Sequence, residues 1–91
     1  MTKRKHQKKS VALTYDYSGA PKISATGKGI FAHEIIDRAR EADIPIIEDP
    51  KLASLLASIP LGDEIPVELY QAVAEVLAFV LRLELGLSEH S

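Results

Sequence analysis

The sequence predicts a small α/β domain: a mixed sheet of about three strands, a hairpin plus a parallel crossover strand, packed with about three helices. Three observations predict it. "VALTYDY", residues 11–17, alternates β-forming residues and runs into the turn residues "SGAP" and a second short run, "KISAT". Apolar residues then recur at helical spacing from Ile30. A third β-like run, Ile44–Glu48, follows that helix, and strand–helix–strand implies a parallel pair with a right-handed crossover.

The elements follow in chain order. Residues 1–10 read as a basic, solvated leader, 11–86 as the folded domain and 87–91 as a flexible tail. The first strand covers residues 11–17, with Val11, Leu13 and Tyr15 on one face, and the second covers 22–26. Their separation by "SGAP" makes them a hairpin. "GKG", residues 27–29, ends the second strand and lets the backbone turn. The first helix spans about Ile30 to Ala42, with Phe31, Ile35 and Ala39 four apart and Glu34, Asp37, Arg38 and Glu41 on the wet side. Asp49 before Pro50 is an N-cap followed by a first-turn proline, which starts a short helix to about Ser58 with Leu52, Leu55 and Leu56 inward. "IPLGDEIP" is a loop, and Pro66 opens the last helix, about Val67 to Leu85. Glu68, Gln71, Glu75 and Arg82 share one narrow face of that helix. Nearly everything else on it is apolar, so most of it is buried or part of its surface is kept for a partner.

Composition narrows the function. Ninety-one residues with 46% hydrophobic content make one soluble domain with a thin core. With no cysteine, disulfides and thiolate metal sites are excluded, which fits a reducing compartment. The chain holds no apolar run of the ~18 residues that span a bilayer, so the expected location is the cytoplasm. Five of the eleven basic residues (Lys3, Arg4, Lys5, Lys8 and Lys9) fall in the first nine positions, so the rest carries six against thirteen acidic groups. This leader is the basis of an alternative reading as a nucleic-acid- or ribosome-associated protein. No aromatic residue interleaves with its lysines, however, so it offers bases no stacking platform.

Candidate chemistry is sparse. "GKG" lacks the flanking glycines and the lysine–hydroxyl pair of a phosphate loop and suits a strand-to-helix turn. His33 and Asp37, four apart on the first helix, offer two metal ligands without a third nearby in sequence. Glu34, Asp37 and Glu41 form a helix face of the kind that is usually only solvated. Ser10, Ser24, Ser54 and Ser58 show no nucleophile-elbow context. The residues alone therefore describe a binding module, neither enzyme nor metalloprotein, with no cofactor.

"VALTYD", "APKISATGKG", "ADIPIIEDPKLASLL" and "GDEIPVELYQAVAEVLAFV" resemble the cytoplasmic C-terminal domain of the FlhB/YscU family, the export-switch proteins of flagellar and virulence type III secretion. The resemblance runs from Val11 to about Glu84. It implies a soluble accessory component of protein export, whose partners are export-apparatus proteins, export substrates or chaperones. Family members cut themselves within an Asn-Pro-Thr-His motif, where the asparagine amide attacks its own backbone carbonyl to form a cyclic imide. That motif maps onto Lys5, His6, Gln7 and Lys8. A lysine amine cannot form the imide, so self-cleavage is expected to be absent. The membrane half and the strand before the motif are expected to be missing as well, as in a stand-alone homologue.

The resemblance also implies a small apolar patch that takes a short hydrophobic signal from export substrates. It maps onto Ala20 and Pro21 in the hairpin turn and Ala74 and Leu77 on the last helix. Tyr70, Ala74, Leu77 and Leu81 share one flank of that helix. Ala74 and Leu77 suit either a plain core or the floor of a shallow depression, and Ala20 and Pro21 suit an ordinary turn equally well. The hairpin turn and the loop before Gly62 are both shorter than in many members. With the preceding strand missing, the edge formed by Val11, Leu13 and Tyr15 is a second candidate docking surface.

Overall fold

The computed structural model describes residues 8–86. Expectations for the leader before Lys8 and for the tail 87–91 lie outside the described residues.

Strand β1 (Lys9–Thr14) pairs antiparallel with β2 (Lys22–Lys28). The register sets Ala12 against Ala25 and Leu13 against Ile23, so Ser24 is one extra residue on β2. Its hydroxyl donates to the Ala12 carbonyl at 3.2 Å and holds this bulge. At the turn, the Asp16 carboxylate accepts from the Ser18 amide at 3.0 Å, a local loop that side chains of this type form readily. Tyr17 and Gly19 both have positive φ, and the Tyr17 ring lies 4.9 Å from that of Tyr15.

Helix α1 (Ile30–Glu41) packs on the hairpin with Ala32 fully buried and Ile35, Ile36 and Ala39 half-buried. Phe31, expected inward, is 62% exposed. The cause is how closely the helix approaches β2. A Cβ at Gly27 would lie 2.7 Å from the Phe31 carbonyl oxygen, so backbone nearly touches backbone at this point. "GKG" thus divides its work differently from the sequence expectation. Gly27 stays in the strand and permits the close approach, while Gly29, at φ 61, makes the turn into α1.

The expected third strand, Ile44–Glu48, does not form. The end of α1 explains this. Asp43, at φ 59, donates its N–H to the Arg40 carbonyl (3.1 Å), and Ile44 donates to that of Ala39 (2.8 Å). This paired closure satisfies the helix's last carbonyls. It also takes the Ile44 donor, and Pro45 has none, so the segment enters without a ladder to extend. Instead, residues 62–65 lie along the free edge of β2. Ile23 donates to the Asp63 carbonyl (3.0 Å), Gly62 to that of Ile23 (2.8 Å) and Ile65 to that of Pro21 (3.0 Å), around a Lys22–Glu64 bridge. The fold remains α/β, with two named strands among the described residues.

Helix α2 (Pro50–Ala57) starts as the sequence predicts: the Asp49 side chain accepts from the Leu52 amide at 3.1 Å. Leu52 and Leu56 are buried, whereas Leu55, expected inward, is half exposed because it lies off their ridge. The last helix opens with a 3₁₀ turn, Val67–Leu69, and continues as α3 (Tyr70–Glu84). The core joins Ile23, Leu52, Leu56, Ile65 and Val73, with Val11 and Leu13 packed against it. Of α3 only Val73 is fully buried, and Phe79, Leu81 and Leu83 are substantially exposed. The surface expected to be buried or kept for a partner is open on this chain.

Candidate functional site

A groove runs between the hairpin turn and α3, with a volume of about 480 Å³. Tyr15, Gly19, Ala20 and Pro21 form one wall, and Tyr70, Ala74 and Leu77 form the other. Ile65 and Val73, 3% and 1% exposed, make the floor. Glu64 is the one charged residue that lines it.

The site is held by backbone. Pro21 is buried, and its carbonyl accepts from Ile65, so the hairpin wall is tied directly to the segment that leads into α3. A type II-like turn, with Gly62 at φ 87 and Asp63 donating to the Pro60 carbonyl at 3.1 Å, brings that segment back to β2. Val73 then anchors α3 in the core. Its neighbours Ala74 and Tyr70 stay exposed at the groove mouth. Hydrogen-bonded backbone and one buried valine thus position the two walls of the site.

The structure therefore brings together two pairs of residues far apart in sequence, Ala20 and Pro21 with Ala74 and Leu77. Leu81, on the same flank of α3, lies beyond the groove and is 42% exposed. Of the proposed edge residues, Val11 and Leu13 lean on the core, while Tyr15 follows the end of β1 and joins the groove wall. No main-chain hydrogen bond links the outer edge of β1 to another described segment. The Lys9 ammonium reaches Ser54 of α2 at 3.4 Å on that side. Sequence reasoning did not assign Gly19, Glu64, Ile65 or Val73 to the site. The signal for the first two was present as a turn glycine and a loop acid, but neither type points to a groove by itself.

Lys5, His6 and Gln7 lie outside the described residues. The Lys8 ammonium lies 3.6 Å from the Glu48 carboxylate, an exposed ion pair, and the Lys8 carbonyl accepts from Gly29 at 2.9 Å. His33 and Asp37 are both exposed on α1, and the described residues contain no cluster of three metal-ligating side chains. No described helix is long and apolar enough to cross a membrane.

A model of the FlhB HrpN YscU SpaS family matches residues 7–80. The chain belongs to this family. Among relatives of this FlhB-type chain, the uncharacterized protein YlqH of Bacillus subtilis is 43% identical over 79 residues, covering 85% of each. The flagellar biosynthetic protein FlhB of Escherichia coli is 45% identical over 78 residues, 82% of this chain but 20% of that one. FlhB of Aquifex aeolicus is 37% identical over 75 residues, 79% of this chain and 21% of that one. The chain thus spans most of YlqH and about a fifth of the FlhB proteins it matches. Membership makes it an FlhB-like piece of an export-related family, and the matched region contains every residue of the groove.

Proposed function

We propose that this FlhB-like protein is a cytoplasmic binding module of flagellar or type III protein export, and that its groove takes an apolar side chain from an export substrate or from a component of the export apparatus. One observation carries the reading. Within a chain of the export family, Ala20, Pro21, Ala74 and Leu77 converge over a buried floor of Ile65 and Val73. Two alanines and a proline leave room, and Leu77 supplies an apolar wall, which is the composition of a pocket that accepts one large aliphatic or aromatic group. The volume falls at the lower end of the range for ligand sites, suited to a short anchor.

The protein works by binding and carries out no reaction. Self-cleavage is absent, because the position equivalent to the reactive asparagine holds Lys5, whose amine cannot attack the backbone to give an imide. A second docking mode, a strand from an export-gate component added to the outer edge of β1, is favoured by the lack of a main-chain partner there among the described residues. Titration calorimetry against the N-terminal segments of early flagellar substrates tests the groove, with Leu77→Asp as the discriminating variant. The expected result is micromolar binding that Leu77→Asp weakens at least tenfold. Equal affinity in the variant transfers the activity away from the groove, and no binding by either protein sinks the reading.

A further inference from the structure

We infer that the groove selects an apolar anchor that carries a lysine or arginine close by, and that Glu75, with Glu64, makes this choice. The inference rests on the peptide-binding reading above and adds the charge of the ligand to it.

Beside the groove, α3 presents an open, nearly flat face formed by Tyr70, Gln71, Ala74, Glu75 and Ala78. The two share Tyr70 and Ala74, so they form one continuous surface. Its charged lining consists of Glu64 and Glu75, both acidic, with no cation. Glu64 faces Lys22 across the bridge, but no ion pair joins them among the described residues. Glu75 is freer still. Its helical neighbours at three and four residues are Gln71, Ala72, Ala78 and Phe79, none of them basic. Arg82, the one cation of α3, lies two turns away with its guanidinium 6.0 Å from the Phe79 ring centre.

An exposed carboxylate beside an apolar mouth adds little raw affinity, but it discriminates between charges and speeds the approach of a cationic ligand. The occupant that fits is a peptide with one large apolar side chain and a Lys or Arg within about one helical turn of it. An acidic residue at that place meets Glu75 and is disfavoured.

The test uses three Gly/Ser-rich peptides, each with one Phe and with Lys, Ala or Glu three positions further on. They are titrated into the ¹⁵N-labelled full chain while amide shifts are followed. At ~20 mM salt the Lys peptide should bind roughly fivefold more tightly than the Glu peptide, and less than twofold at ~0.5 M, because surface charge is screened. Glu75→Gln should remove most of the difference, and Glu75→Lys should invert the order. Equal affinities for all three peptides, with Leu77→Asp still abolishing binding, overturn the charge selection and leave the groove standing. Failure of all three peptides to bind, or binding indifferent to Leu77→Asp, overturns the groove reading itself.

Discussion

Replacing Gly27 with alanine adds one methyl group at the tightest contact described for any glycine of the fold. The new Cβ would sit 2.7 Å from the Phe31 carbonyl oxygen, 2.8 Å from its carbon and 3.0 Å from Ile35 Cδ1. The first two are backbone atoms and have no rotamer to escape into, so α1 must move outward by several tenths of an ångström. Ala32, fully buried on the same helix, then loses part of its packing. Overpacking of this kind costs ~1–3 kcal/mol. Relief of the glycine's unfolded-state entropy returns about 0.4–1 kcal/mol. A net loss of about 1–2 kcal/mol is a large share of the ~5–14 kcal/mol that holds a chain of this size together. It should lower the melting temperature by roughly 5–15 °C. Circular dichroism melts and urea unfolding of Gly27→Ala measure it, with the neighbouring exposed Thr26→Ala as control. A Gly27→Ala midpoint equal to that of Thr26→Ala would show that α1 does not press on β2 as described.

Asp43→Gly should stabilise the protein by about 0.5–1 kcal/mol, because glycine takes the φ of 59 without strain and removes an acid from the negative end of α1; a urea series reads it. Asp49→Ala should cost about 1 kcal/mol by leaving the Leu52 amide uncapped, while Asp49→Ser keeps most of the stability. Arg38→Ala should change stability by less than about 0.5 kcal/mol, since its 3.5 Å pair with Glu34 is exposed. Intact-mass spectrometry of the purified chain after prolonged incubation should give one species, and a fragment cut after Lys5 would refute the argument from imide chemistry.

The parts of the fold that were legible in the sequence are those set by local chemistry. The hairpin follows from alternation plus "SGAP", and α2 from Asp49 and Pro50. The parts that were not legible depend on contacts between distant residues. "IPIIE" looks like a strand by composition, but its first donor is consumed by the closure of α1 and its second residue is proline. Residues 62–65 pair with β2, yet they read as a loop, because Gly62, Asp63, Glu64 and Ile65, between Pro60 and Pro66, carry no alternation to announce a strand. Phe31 fits the helical repeat, but the repeat cannot see that Gly27 brings backbone against backbone. For the groove, the helical wheel puts Tyr70, Ala74 and Leu77 together, whereas joining Ala20 and Pro21 to them takes the family resemblance, and the structure lines one groove with all five. Alternation over residues 11–17 carries the expected strand past Tyr15 and puts that residue on its edge. In the structure β1 ends at Thr14 and frees that ring for the groove wall.

The central claim is that the surface between the hairpin turn and α3 is where this protein meets its export partners. Amide chemical-shift mapping with the N-terminal segment of an early flagellar substrate addresses it most directly. Shifts concentrated on Gly19, Ala20, Ile65, Tyr70, Ala74 and Leu77, and abolished by Leu77→Asp, are the predicted result. Saturable shifts confined to β1 and α2, with the groove silent, would contradict it.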